Sequence, residues 1–168
     1  MTKTKIAGLA LAALLAGSLA ACAKPAATPA VDTSKIAATL TADMDALVAS
    51  FNAKDVAAAV AHDSPTYVGM FHGQPNVVGP EADLALTKIQ VADPAAKVTV
   101  SNAVVDVASA GDMAVYRATY AYTYTNPTTH QPGVENGNWV LGYKVQPDGS
   151  WKLAWAVVSD TGPAATAD

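Results

Sequence analysis

Few side chains in this chain are of a type and spacing that could do chemistry. There are three histidines, His62, His72 and His130, and they have neither the i, i+4 spacing nor the neighbouring ligands that a metal site needs. We expect His62 to interact with the last carbonyls of a helix and His130 to lie exposed in a polar loop. His72 follows a predicted strand, so it is a candidate general base, with simple exposure in a loop as the alternative.

Arg117 is the only arginine, and it lies beside threonines in the middle of a predicted strand. Its planar guanidinium suits bidentate recognition of a carboxylate, so a ligand contact is one interpretation. The alternative, which we favour, is an ion pair with Asp106 on the preceding strand. The sequence contains no glycine-rich phosphate loop, no Gly-x-Ser-x-Gly elbow and no Cys/His dyad, so it offers no candidate nucleophile for covalent catalysis.

The element that organises the prediction is a long hairpin over residues 138–160, made of two strands rich in aromatic and β-branched residues. Pro-Asp-Gly at residues 147–149 is typical of the turn between them. With a three-residue loop, Trp139 shares a face with Trp151 and Trp155 across the ladder. A bulge would move part of the second strand to the opposite face. We expect the three tryptophans to line one surface.

Three helices are predicted before the main sheet. The first is capped by Thr33 or Ser34 and carries an apolar stripe at spacings of three and four residues. Asp55 caps a short second helix. The third begins at residues 79–80 (Gly-Pro) and stops at residues 93–94 (Asp-Pro). Its predicted inward-facing residues are Leu84, Leu86 and Ile89.

Alternating side chains predict the strands. A short strand covers residues 66–71, residues 97–107 and 113–125 form a hairpin, and residues 126–138 are a polar connection. The resulting order, α-α-β-α-β-β-β-β, predicts an α+β fold in which helices cover one face of a curved antiparallel sheet. One face of the strand at 113–125 is predicted to carry a row of tyrosines, Tyr116, Tyr120, Tyr122 and Tyr124.

The N-terminal residues resemble a secretory leader that ends in a bacterial lipobox. Lys3 and Lys5 precede an apolar run too short to span a bilayer, and Leu-Ala-Ala-Cys at residues 19–22 follows. The resemblance implies acylation of Cys22 and an outer-membrane lipoprotein that faces the periplasm. We therefore divide the chain into a signal peptide at residues 1–21, a lipidated cysteine and tether at 22–33, a domain at 34–160 and a disordered tail at 161–168.

Charge and cysteine content narrow the possible partners. The formal net charge of −4 is acidic, which argues against nucleic acid as a partner. Cys22 is the only cysteine, so no intramolecular disulfide can form. The domain must therefore be stabilised by its own core.

Three short motifs carry a further resemblance. Phe-Asn-Ala-Lys-Asp at residues 51–55, Gly-Pro-Glu at 79–81 and Asp-Gly-Ser-Trp-Lys at 148–152, in this element order, resemble the nuclear transport factor 2-like (NTF2-like) fold and its SnoaL-like branch. The resemblance implies a cone-shaped curved antiparallel sheet with three N-terminal helices that together enclose a pocket. Relatives of this kind catalyse isomerisation, cyclisation or dehydration, bind ligands, or dimerise.

The catalytic positions of ketosteroid isomerases, counted along these motifs, fall at Leu47, Gly69 and Leu141. None of these residues is acidic or hydroxylated, which argues against isomerisation by that mechanism. We expect a non-catalytic module that binds a small apolar ligand or forms a homodimer, without a cofactor. The alternative is a cofactor-free isomerase, cyclase or lyase that uses an acid/base residue in the pocket. The candidate pocket residues are Tyr67, Met70, His72, Tyr116, Arg117, Trp139, Tyr143 and Trp155.

Overall fold

A computed structural model describes residues 30–162. The predicted signal peptide, Cys22, most of the tether and the tail from residue 163 lie outside these residues. The helices are α1 Thr33–Asn52, α2 Val56–Val60 and α3 Pro80–Val91, and none within the described part is long and apolar enough to cross a membrane. The strands are β1 Asp63–Phe71, β2 Val77–Val78, β3 Lys97–Val107, β4 Met113–Thr125, β5 Pro132–Val145 and β6 Trp151–Asp160.

The six strands form one curved sheet in the order β2-β1-β6-β5-β4-β3. The predicted α+β class is confirmed. The sheet is mixed rather than wholly antiparallel, because β1 and β6 pair in parallel while the other neighbours are antiparallel. The chain leaves β1, passes through α3 and the β3–β6 meander, and returns beside β1, so its last strand closes the sheet against its first.

Helix α1 packs its apolar stripe against one face of the sheet. Leu40 and Met44 are fully buried and contact Tyr116 and Tyr143 of the central strands. The helix begins at Thr33, earlier than predicted, because its N-cap is Asp32 rather than Thr33 or Ser34. The side chain of Asp32 accepts a hydrogen bond from the Lys35 amide at 3.0 Å. An aspartate at this position accepts a hydrogen bond from an otherwise unpaired amide, and the positive end of the helix dipole stabilises its negative charge.

The short α2 and the start of β1 are adjacent. Asp55 caps α2, as predicted, by accepting from the Ala58 amide at 3.0 Å. Strand β1 begins at Asp63, three residues before the predicted start, because Asp63 already pairs with Leu153 of β6. This earlier start places Asp63 inside the sheet rather than in a loop.

Strand β5 begins at Pro132, six residues before the predicted start at residue 138. The glycines that suggested a loop are strand positions covered by aromatic rings of β4. A Cβ at Gly133 would lie 2.8 Å from the ring of Tyr124, and one at Gly137 would lie 2.5 Å from the ring of Tyr120. Glycine is needed where another group approaches the backbone this closely.

The last hairpin has the predicted turn but a shifted register. Gly149 has φ 83°, and its amide donates to the Gln146 carbonyl at 2.9 Å, which closes the turn. Trp151 pairs with Val145, but between Leu153 and Trp155 one extra residue forms a β-bulge. The expectation that the three tryptophans share a face is therefore wrong for Trp155.

Beyond the bulge, Ala156 faces the helices opposite Leu141, and Trp155 points to the other face of the sheet. Its ring covers Gly142, where a Cβ would lie 2.0 Å from it. Trp139 and Trp151 stay on the helix-covered face and pack against the core. The tryptophans thus divide between the two faces.

Candidate functional site

A cavity of about 440 Å³ lies between the helices and the face of the sheet that they cover. Its volume is in the range of small-molecule sites. Helix α1 closes one side and α3 another, while β4, β5 and β6 form the floor. Most of the lining is apolar, as with Met44, Leu47, Phe51, Trp139, Leu141 and Ala156.

Aromatic rings form one wall of the cavity. Tyr120 and Trp139 are stacked with ring centroids 5.5 Å apart and an interplanar angle of 27°. Phe51 meets Tyr122 edge to face, with centroids 6.3 Å apart. Ring pairs in these two geometries contribute more to stability than the burial of their apolar area alone. The predicted row of tyrosines is confirmed as one face of β4, of which Tyr120 and Tyr122 reach the cavity.

The unexpected feature is a pair of carboxyl groups, Asp63 from β1 and Asp83 from α3, which contact each other at the cavity wall. Asp63 is only 9% exposed. Burial, the nearby charge of Asp83 and the hydrogen bond between them raise the pKa of Asp63 to about 8. Burial likewise raises the pKa of Asp83, to about 6, against the lowering effect of the same hydrogen bond.

Two ionised carboxylates cannot hydrogen-bond to each other. Without a proton on the pair, the buried Oδ2 of Asp63 has no hydrogen-bond donor. One shared proton supplies the donor and removes the repulsion between like charges. The pair therefore holds one proton near neutral pH.

Tyr67 lies beside this pair on β1 and lines the cavity. Burial, followed by the charges of Asp83 and Asp63, raises the pKa of its hydroxyl far above the usual value. The hydroxyl therefore stays protonated at all ordinary pH values and can donate a hydrogen bond into the cavity.

Helix α3 presents a polar stripe to the cavity. Asp83, Thr87 and Gln90 line it at spacings i, i+4 and i+7. Ile89, which we predicted to face inward, is 73% exposed. The prediction was wrong because the helix is rotated so that its polar side closes the cavity, while Leu84 and Leu86 are only half-buried.

The mouth of the cavity is also polar. Nε2 of His72 lies 3.3 Å from Oδ2 of Asp160 and 3.7 Å from Oε2 of Glu135. The hydroxyl of Tyr120 donates to Glu135. His72 is about half exposed, in agreement with its position in the loop after β1.

Of the predicted pocket residues, Tyr67, His72 and Trp139 line the cavity. Leu47 and Leu141, the positions matched to isomerase catalytic residues, also line it and make it apolar there. At the third such position, Gly69 is covered by the ring of Phe71, which would lie 2.5 Å from an added Cβ.

The structure places the other predicted residues elsewhere. Tyr116 and Tyr143 are buried in the core between α1 and the sheet, below the cavity lining. Met70 and Trp155 point to the sheet face opposite the helices, by alternation from Tyr67 and Ala156. Arg117 lies on that same face, and its predicted pairing with Asp106 is confirmed.

The Arg117 guanidinium donates to Oδ2 of Asp106 from Nε at 2.9 Å and from Nη2 at 2.7 Å. Both side chains are more than half exposed, at 53% and 60%. Such a pair contributes little to stability and does not face the cavity.

His62 belongs to a separate polar cluster. Its Nδ1 lies 2.8 Å from Oδ1 of Asp43, and the Tyr143 hydroxyl donates to Oδ2 of Asp43 at 2.8 Å. Burial opposes ionisation of Asp43, but these hydrogen bonds keep its pKa below the usual value. The cluster joins α1 to β5 and to the end of α2, so His62 does not cap helix carbonyls as predicted. His130 is exposed in the β4–β5 loop, which confirms its prediction.

In the part of the chain that the structure describes, no group of three or more His, Cys, Asp or Glu side chains is arranged to hold a metal ion. The polar groups of the cavity are carboxyl, hydroxyl, amide and imidazole groups. The chemistry that this arrangement supports is proton transfer and hydrogen bonding.

Sequence reasoning missed Asp63, Asp83 and Glu135. Asp63 precedes the predicted start of the first strand at residue 66, and Glu135 lies within the predicted polar connection at residues 126–138. Asp83 was not distinguished from the acidic residues common at a helix start. The sequence does contain a signal for Asp83: together with Thr87 and Gln90 it has the spacing of one helix face. This polar face fits the helical period as well as the apolar residues of the same helix do.

Comparison with known proteins supports the fold. No family model matches the chain, and no curated protein matches it in sequence. Among solved structures, a ketosteroid isomerase-like protein from Erwinia carotovora atroseptica is similar, with 22% identity, a TM-score of 0.62, and coverage of 75% of this chain and 96% of the other.

Two further solved structures are similar at lower identity. One is an NTF2-like superfamily protein from Salmonella enterica, with 14% identity, a TM-score of 0.65, and coverage of 79% of this chain and 96% of the other. The second is a hexachlorocyclohexane dehydrochlorinase from Novosphingobium barchaimii, with 14% identity, a TM-score of 0.66, and coverage of 79% and 92%. The element order, the curved mixed sheet and these similarities together show that residues 30–162 have the NTF2-like fold.

Proposed function

We propose that the cavity binds a small, largely apolar molecule and that the Asp63–Asp83 pair exchanges a proton with it. The observation that carries this proposal is a buried, mutually contacting carboxyl pair in the wall of an otherwise apolar cavity. Burying carboxyl groups is unfavourable for folding, and it is typical of acid/base sites.

A pair that holds one proton near neutral pH can serve as a general acid or as a general base. Tyr67 adds a neutral hydroxyl donor on the same strand. These groups suit the removal of a proton from one atom and its return to another, as in a cofactor-free isomerase or lyase. Solved structures of the same fold include a ketosteroid isomerase-like protein and a dehydrochlorinase, which agrees with this chemistry.

The second candidate function is binding without catalysis. The stacked Tyr120 and Trp139 and the apolar side chains of α1 favour it, because they offer a surface for an aromatic or aliphatic body. In this case Asp63 and Asp83 anchor a polar group of the ligand and transfer no proton in a reaction.

The location that we propose follows from the leader and lipobox. Lipid on Cys22 would hold the domain at the outer membrane facing the periplasm, with the residues before α1 as a tether. We also propose self-association through the sheet face opposite the helices. Val104, Val134 and Val157 lie on that face and are 47%, 60% and 36% exposed.

The proposal is tested on protein purified from its host. We expect native mass spectrometry to detect a retained small molecule with the wild type but not with Trp139→Ala. When that molecule is isolated and incubated with the protein in D2O, the wild type should introduce deuterium at a carbon atom and Asp63→Asn should not.

Asp112→Asn, a change of the same kind at an exposed turn residue, is the matched control and should behave as the wild type. Deuterium incorporation by Asp63→Asn would remove the carboxyl pair from the mechanism. Binding without any incorporation by the wild type would leave the non-catalytic candidate.

A further inference from the structure

The charges that line the cavity are of one sign. Asp63 and Asp83 lie in its wall, and Glu135 lies at its mouth. Within residues 30–162, no lysine or arginine lines the cavity. A ligand that carries a carboxylate or phosphate would meet only like charge, so the lining disfavours anions.

Two lysines on neighbouring elements, Lys152 and Lys54, are bound to backbone carbonyls outside the cavity lining. Lys152 Nζ donates to the Ala61 carbonyl at 2.6 Å, and Lys54 Nζ donates to the carbonyl of Asp93 at 3.3 Å. The positive charge of Lys152 acts on Asp63 through space without reaching the cavity. His72 at the mouth already lies between two carboxylates, Glu135 and Asp160.

A second, independent observation points to a ligand donor. Asp63 is nine-tenths buried in the cavity wall, and once the proton shared with Asp83 leaves, its Oδ2 has no hydrogen-bond donor among the described residues. A buried acceptor of this kind calls for a donor, and a charged N–H donor forms the strongest hydrogen bond with a carboxylate.

The aromatic wall suits the same ligand class. The stacked Trp139 and Tyr120, together with Tyr122 and Phe51, offer ring faces and edges to an apolar body. Aromatic faces also attract organic cations through their quadrupoles, most strongly for tryptophan. The cavity thus combines carboxylates with the surface that organic cations prefer.

Resting on the proposed function, we infer that the ligand is a small organic cation, a protonated amine on an aromatic or aliphatic body, whose N–H group donates to Asp63. The body lies against Trp139 and the apolar residues of α1. Nothing in the NTF2-like fold itself requires this ligand class, since the lining side chains decide it.

Binding of such a cation is linked to proton release. Before binding, the Asp63–Asp83 pair shares one proton; when the ammonium donates to Asp63, that proton leaves to solvent and the ammonium takes its place. The other groups that face the pair are Tyr67, whose hydroxyl stays neutral, and Lys152, whose charge favours ionisation. Affinity should therefore rise with pH through the range in which the pair loses its proton.

Three probes with one ring system test this inference: 2-naphthylmethylamine, which is a cation, 2-naphthylmethanol, which is neutral, and 2-naphthoate, which is an anion. By isothermal titration calorimetry on the folded domain at about pH 8, we expect the amine to bind about tenfold or more tightly than the alcohol, and the carboxylate not to bind. Repeating the amine titration in buffers of different ionisation enthalpy should show release of up to about one proton.

Asp63→Asn and Asp83→Asn are the test variants, and Asp112→Asn is the control with the same loss of charge. Circular dichroism establishes that each is folded. Asp63→Asn should bind amine and alcohol with similar affinity. Asp83→Asn keeps the acceptor but not the shared proton, so it should still prefer the amine while releasing less proton than the wild type. The control should keep both the preference for the amine and the proton release. Two independent variants keep the test decisive if one of them fails to fold.

Equal affinity of the wild type for amine and alcohol would overturn the cation inference and leave the proposed apolar binding site intact. A preference for the amine that survives in Asp63→Asn, or an unchanged proton release by Asp83→Asn, would also overturn it. If none of the three probes binds, both the inference and the binding site proposed above are refuted.

Discussion

Replacing Asp63 with asparagine should make the domain more stable at high pH. The pKa of Asp63 rises from 3.8 to about 8 on folding, so between these values the folded chain binds more protons than the unfolded chain. The free energy of unfolding therefore falls as pH rises through that window. Asparagine is nearly isosteric, cannot ionise, and can donate to Asp83, so it removes this loss.

The magnitude follows from the shift. A pKa change of this size corresponds to about 6 kcal/mol if Asp63 alone bears the whole effect in a dry site. The cavity can admit water, which screens the charge, so we expect Asp63→Asn to be more stable than the wild type by about 2 to 3 kcal/mol at about pH 9. At about pH 4, where the wild-type pair is protonated, the difference should vanish or reverse.

Urea denaturation followed by tryptophan fluorescence measures this difference. The wild type should lose stability between about pH 5 and pH 9, and the variant should lose much less. Asp112→Asn, at an exposed turn, should follow the wild type. A wild-type stability that stays flat over this range, or a variant that is less stable at high pH, would show that Asp63 is not a buried proton-sharing group.

Three further changes test other parts of the structure. Cys22→Ser should abolish fatty-acid labelling and leave unprocessed precursor at the membrane, and persistent labelling would contradict the lipoprotein proposal. Gly142→Ala should cost about 1 to 3 kcal/mol in chemical denaturation, because its Cβ would meet the ring of Trp155; relief of this cost in Gly142→Ala with Trp155→Ala would establish the clash. Tyr143→Phe should cost about 2 kcal/mol in the same assay, because the buried charge of Asp43 loses a hydrogen bond, and an unchanged stability would exclude that bond.

Local chemistry explains what the sequence predicts well. The turn at residues 147–149 is correct because proline, aspartate and glycine each fit one backbone position, and Gly149 takes a positive φ as expected. The pairing of Arg117 with Asp106 is correct because strands joined by a short hairpin bring such residues opposite or next to each other.

Long-range packing explains what the sequence could not reveal. The bulge before Trp155 has no signature in its own residues, since it arises from the pairing of β6 with both β5 and β1. The early start of β5 depends on tyrosine rings from β4 that cover Gly133 and Gly137. Neither feature can be read from one segment alone.

The candidate site was the least predictable part for the same reason. Asp63 and Asp83 are far apart in the sequence, since the rest of β1 and all of β2 lie between them. Each of the two residues alone has an ordinary local interpretation. They become a site only because the fold brings the start of β1 against the first turn of α3. The individual apolar residues around them were easier to predict, since burial follows from residue type.

Ala154, the extra residue of the bulge, divides β6 into two segments whose inward-facing positions are out of step with each other. Before Ala154, Trp151 and Leu153 point to the helix-covered face of the sheet; after it, Ala156 and Val158 do. Positions on this face should tolerate few substitutions because they are packed. A saturation-mutagenesis profile along this strand should therefore alternate with a period of two, break once, and resume out of step. Deleting the one residue at position 154 would bring the strand back into a single phase, with Trp155 still on the outer face and Ala156 still at the cavity floor, so the break in the profile would disappear while the lining of the cavity stayed the same.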